Sequence, residues 1–139
     1  MLHRDYLVEQ FIRFAEAIRL SWTKAKGEAA DPLDAAELLE AAVGNATNID
    51  GATLLLLSPD SIASILQITD TDPDVVEYLA RTLLLESEYL AEGGEQARSD
   101  LRRDQAYAIA RGYGIPLSEA LLSEEEFEVF FSRTESRAK

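Results

Sequence analysis

Three of the four prolines in this chain follow an aspartate or a serine: Asp31-Pro32, Ser58-Pro59 and Asp72-Pro73. That order is the signature of a helix start. The Asp or Ser side chain accepts a hydrogen bond from a free backbone N–H of the first turn, and proline sits where its missing N–H costs nothing. Glycines supply the opposite mark at Gly27, Gly44, Gly93-Gly94, Gly112 and Gly114, because glycine enters the left-handed conformation of a helix end without steric cost. A chain punctuated this way has little room for anything except helices joined by short turns.

The apolar spacing between these marks agrees. Leu7, Phe11, Phe14 and Ile18 recur at i, i+4, i+7, i+11, with Val8, Ile12, Ala15 and Trp22 beside them, which predicts a helix over 3–26. The same reading predicts helices over 32–45, over 73–92 through Val76, Leu79, Ala80, Leu83, Leu84 and Leu90, and over 95–112 through Ala97, Leu101, Ala106, Ile109 and Ala110. Ser123 and Glu126 open a last helix as a capping box, with Phe127, Phe130 and Phe131 as its apolar face. No segment alternates as a strand would. The fold class expected is all-α: a compact array of about six to eight helices packed as antiparallel helical hairpins, in one domain over residues 1–139.

The run Leu54-Leu55-Leu56-Leu57 is the most demanding segment. Leucine favours helix, and four in succession sweep about 300° of its circumference. A helix over 51–57 would therefore need cover on every side, either from the chain's own core or from a partner. The following helix, 59–68, is one-sided, with Ile62, Ile65 and Leu66 facing inward.

Charge limits the partners. Twenty-six acidic residues against thirteen Lys and Arg leave a formal charge of −13. Such a surface repels nucleic-acid phosphates and anionic lipid heads, so neither nucleic acid nor a membrane is expected. No cysteine is present, which removes disulfides and thiolate chemistry. The opening residues do not read as a signal peptide, no stretch is apolar enough for a membrane span, and the cytoplasm is the expected compartment.

Familiar chemical motifs fail on particular residues. His3, the single histidine, lies at a terminus and reads as solvated rather than catalytic. Asp70, Asp72 and Asp74 have the spacing that opens a calcium loop, but its sixth and twelfth positions hold Val75 and Arg81. Helix capping by Asp72 accounts for the cluster. Glu86, Glu88, Glu92 and Glu95 read as a solvated acidic face. Phe11, Phe14 and Trp22 read as core rather than as a ligand pocket, whereas Tyr89, Tyr107 and Tyr113 suit either a core edge or an interface. No cofactor or metal is implied.

Residues 73–114 resemble a tetratricopeptide-type helical hairpin. Leu85, Tyr89 and Gly93 fall at first-helix and turn positions, and Pro116 lies beyond the second helix. Glu86 stands where that pattern carries glycine or alanine. The opening "RDYLVEQFIRFAEAI" and the segment "LLLESEYL" also resemble an uncharacterised bacterial family of small all-helical, tetratricopeptide-like proteins. Such a resemblance implies a helical scaffold and carries no catalytic residue with it.

These readings lead to a non-enzymatic helical protein-interaction module, with Tyr89, Arg98, Arg102 and Tyr107 of the second hairpin as the expected binding face. A self-associating homodimer with a structural role is one alternative. A small-ligand-binding protein or enzyme is another.

Overall fold

The proline-marked helix starts form as the sequence requires. Asp31 Oδ1 accepts from the N–H groups of Leu33 and Asp34 at 3.0 and 3.4 Å. Ser58 Oγ accepts from Ser61 N–H at 3.3 Å, and Asp72 Oδ1 from Asp74 N–H at 2.9 Å. Ser123 Oγ caps the last helix through Glu126 N–H at 3.1 Å. The structure is a computed structural model that describes residues 2–46 and 51–138, with side chains described for 6–45 and 53–138. His3 lies outside the described side chains.

Every regular element among the described residues is helical. The helices are α1 (Leu2–Ala25), α2 (Pro32–Ala46), α3 (Gly51–Leu55), α4 (Pro59–Ile68), α5 (Pro73–Glu92), α6 (Gln96–Tyr113) and α7 (Glu124–Ala138), with a 3-10 turn at Glu119–Leu122 before the last. α1 pairs with α2 and α5 pairs with α6 as two helical hairpins. α2 lies on α5, α4 lies on α6, and α7 returns to pack on α1.

α5 is the axis of the array. Fourteen of its twenty residues are buried, so it presents almost no solvent face. Around its first half, the Tyr78 ring meets Phe11 and Phe14 of α1 at 5.2 and 5.1 Å, and Phe130 of α7 at 4.4 Å between centroids. The Tyr78 hydroxyl reaches Thr134 Oγ1 at 2.6 Å. Burial pushes that phenol up to about 12, and the bond to Thr134 opposes the shift. Phe11 and Phe14 are thus core side chains, while Trp22 is half-buried and tilts onto Phe127 at 6.0 Å.

In an open repeat stack each unit touches only its neighbours. Here the last helix closes on the first. Arg19 of α1 makes a two-bond pair with Glu128 of α7 at 2.8 and 2.6 Å, and Lys26 pairs with Glu124.

The turns follow the glycines in part. Gly27, Gly94 and Gly114 adopt φ of 92°, 86° and 66°. Gly93 serves a different need: a Cβ there would lie 2.4 Å from Leu33 Cδ2, so the Leu33 side chain of α2 packs over the end of α5 where a larger residue would make it shift. Gly44 and Gly112, expected as helix ends, lie inside α2 and α6, since packing on neighbours outweighs the roughly 1 kcal/mol cost of a helical glycine. After α4 the left-handed position is taken by Asp70 at φ 52°, one of the few non-glycine types that tolerates it.

Candidate functional site

The short helix α3 sets the chemistry of the interior. Its five residues leave the carbonyls at its end without helical partners. Two side chains of α6 supply the donors. Arg102 Nη1 donates to Leu55 O at 2.9 Å, and Gln105 Nε2 donates to Leu55 O and Leu57 O at 3.0 and 2.8 Å. Arg102 also donates through Nε to Glu86 of α5 at 2.9 Å, through Nη2 to Glu40 of α2 at 3.0 Å, and to Gln105 Oε1 at 3.1 Å. Arg98 adds a bond to the same Glu40 oxygen at 3.1 Å. One guanidinium therefore ties together α2, α3, α5 and α6.

Glu86 is wholly buried, and its Oε1 has no hydrogen-bond partner when the group is treated as a carboxylate. Burial, followed by the bond and charge of Glu40, pushes its carboxyl well above the ordinary glutamate value, with Arg102 opposing. Glu40 behaves in reverse. Burial pushes it up, but the bond from Glu86 and its pairing with Arg102 and Arg98 win, and it lies below the ordinary value. The two carboxyls are thereby set apart in proton affinity, Glu86 above and Glu40 below the ordinary value. A proton on Oε1 would convert this orphan acceptor into a donor.

The expected solvated row of glutamates is therefore corrected at Glu86, which is core. Its place on the stripe Leu79, Leu83, Glu86, Leu90 is the sequence signal for this, and Arg102, Ala106 and Ile109 form the matching stripe of α6.

Two of the four residues expected to form the binding face of the second hairpin are buried. Tyr89 is 6% and Arg102 7% exposed; the Tyr89 hydroxyl lies 3.2 Å from Ser21 Oγ, and Arg102 is committed to the interior. Arg98 and the half-buried Tyr107 remain at the surface. Buried anchors of a chain cannot also be presented to a partner without unpacking it. The leucine run is likewise divided. Leu54 and Leu55 are core, Leu57 is half-buried, and Leu56 is 82% exposed. α3 stops at Leu55, so the all-round cover expected for a helix over 51–57 is not required. Ala97, expected in the apolar stripe of α6, is exposed, and Leu101 is half-buried.

At the other end of α5, Arg81 and Arg133 both donate to Glu77 Oε2 at 2.9 Å and lie over the Phe130 ring at 4.1 and 5.1 Å. They border a cleft of about 380 Å³ with Leu121, Val129 and Glu126. Two guanidiniums facing Glu77 and Glu126 leave it electrically balanced. Among the described residues, no group of three or more His, Cys, Asp or Glu side chains is placed to hold a metal ion, and no helix is long and apolar enough to cross a membrane.

The open concavity of interest lies between α1 and α2. It measures about 390 Å³ and is lined by Phe14, Ala17 and Leu20 of α1 and by Leu38, Ala41 and Ala42 of α2, with Gln10, Arg13, Glu16 and Asn45 at its polar edge. Phe14 is its buried floor, whereas Leu20 is 48% exposed. Three alanines keep the groove shallow and wide, so a helix backbone could approach without displacing a side chain. Compared with known proteins, the chain matches no family model, no curated protein and no solved structure.

Proposed function

We propose that this chain is a non-enzymatic helical interaction module whose docking surface is the groove between α1 and α2. The observation that carries this reading is the groove itself: an apolar channel on an otherwise acidic surface, open to solvent and bordered by the exposed Leu20. A concave, mostly apolar site edged by a few polar groups is the usual setting for a docked partner or ligand. The strongest internal charges support it indirectly. Glu86, Arg102 and Glu40 are occupied in joining helices, an arrangement suited to a scaffold. Protein is the fitting class of partner, because a charge of −13 opposes nucleic acid. The likeness to tetratricopeptide-type hairpins belongs with this proposal, since paired helices of that kind present grooves to other chains.

A photo-crosslinking residue placed at Leu20 tests the reading, with the same residue at exposed Leu56 as control. The expected result is a distinct heterologous adduct from Leu20 alone. Identical adducts from both positions, or none from Leu20, would remove the groove from the function.

A further inference from the structure

Resting on that reading, we infer that the groove between α1 and α2 receives a basic amphipathic helix supplied by another protein. The shape comes first. Two packed helices leave a channel whose complement is a third helix laid ridge-into-groove, anchored by apolar side chains at i, i+3 or i+4, and i+7. The channel runs along α1 from Gln10 to Leu20, roughly 15 Å at 1.5 Å per residue, which matches about three turns of a partner.

The charge comes second, and it separates the possible occupants. Arg13, the cation at the edge, is paired with Glu9 at 2.5 Å. Glu16 lines the channel, and Asp34 and Glu37 stand one turn before Leu38 and Ala41 on the same side of α2; all three are exposed. Arg19 and Lys26 are drawn away to Glu128 and Glu124 of α7, and Lys24 stands in the last turn of α1, beyond the residues that line the channel. The rim is therefore net acidic on a chain that is itself −13. A second copy would set two acidic rims against each other, and like-charge juxtaposition across an interface is strongly unfavourable. A helix with leucines on one face and lysines or arginines flanking it answers both the floor and the rim.

The test uses fluorescence anisotropy with three labelled 18-residue peptides: a Leu/Lys amphipathic helix, a scrambled isomer of identical composition, and a Leu/Gln helix with the same apolar face. Each is titrated with the full chain at low and high salt. The amphipathic Leu/Lys peptide should bind at least roughly tenfold more tightly than its scrambled isomer, and more weakly as salt rises. Ala41→Trp, which fills the channel from an exposed position, should weaken it by a similar factor with an unchanged melting curve, and Glu16→Lys with Glu37→Lys should do so without blocking the channel. If the Leu/Gln peptide binds equally well at every salt concentration while Ala41→Trp still abolishes binding, the basic partner is wrong and the interaction reading survives. If the scrambled peptide binds as tightly and Ala41→Trp changes nothing, only diffuse charge attraction is present and both fail. A concentration-dependent dimer abolished by Ala41→Trp in light scattering would assign the groove to a second copy and overturn the inference.

Discussion

Tyr78 and Glu86 sit eight residues apart on α5, about 12 Å along one helix, and both are wholly buried. Their surroundings are opposite. Tyr78 is held by rings from α1 and α7 and needs one hydroxyl partner, Thr134. Glu86 is held by a guanidinium beside a second carboxyl, in surroundings that raise its proton affinity. The aromatic end gains from contact area and ring geometry, and such terms degrade gradually when one is lost. The ionic end gains from mutual satisfaction. Remove one member and the rest are left charged in a low-dielectric interior, which costs far more than the pair contributed. The two ends of one helix should therefore fail in different ways.

The largest difference should come from Arg102→Met. It leaves Glu40 without one of its two cations and Leu55 O with one donor fewer, and exposes Glu86 to an uncompensated neighbour. Urea unfolding at pH 7 should show a loss of about 3–5 kcal/mol. Adding Glu86→Gln and Glu40→Gln to that variant should recover part of it, and an absence of any recovery would show that shape rather than charge dominates this end.

Glu86→Gln alone gives the next effect, and its sign depends on pH. The folded carboxyl lies well above the 4.5 of an ordinary glutamate, so the folded state binds the proton more tightly than the unfolded chain does. Wild-type stability must then fall, relative to the variant, as pH rises from about 4.5 through the folded value, by at most about 1.4 kcal/mol per pH unit. Glutamine cannot ionise, and it mimics the protonated acid. Melting curves of the two proteins should draw together near pH 4.5 and separate above it, with glutamine the more stable. Parallel curves across that range would mean that no proton is held at Glu86.

The smallest effect belongs to the aromatic end. Tyr78→Phe keeps every ring contact and removes the hydroxyl bonded to Thr134, whose Oγ1 retains its contacts with the carbonyls of Phe130 and Phe131. A loss of about 1 kcal/mol is expected, independent of pH between 5 and 8. A loss approaching that of Arg102→Met would erase the contrast between the two ends.

The groove shows the limits of reading one helix at a time. Leu20 on α1 and Leu38 on α2 belong to the outer borders of two apolar stripes. Nothing in either stripe says that they face the same channel. That follows from α1 and α2 pairing with alanines between them. The second hairpin shows the reverse. Arg and Tyr are frequent at interfaces, and by residue type alone Tyr89 and Arg102 looked available. In the structure both lie on the buried faces of α5 and α6, because which way a helical residue faces is fixed by period while its chemistry is not.

What the sequence determined by itself was local. Asp-Pro and Ser-Pro order fixed three helix starts, periodicity marked the buried faces of α1, α5 and α7, and the lack of any alternating segment excluded strands from the reading. Each of these depends on residues within a few positions of one another, where backbone sterics and capping act. The tertiary structure decided what depends on distance: that α7 closes on α1, that the carbonyls at the end of α3 find donors on α6, and that the Glu86 carboxyl is pushed well above its ordinary value. A carboxyl's proton affinity is set by what surrounds it, and its surroundings here come from α2 and α6, brought together only by the fold.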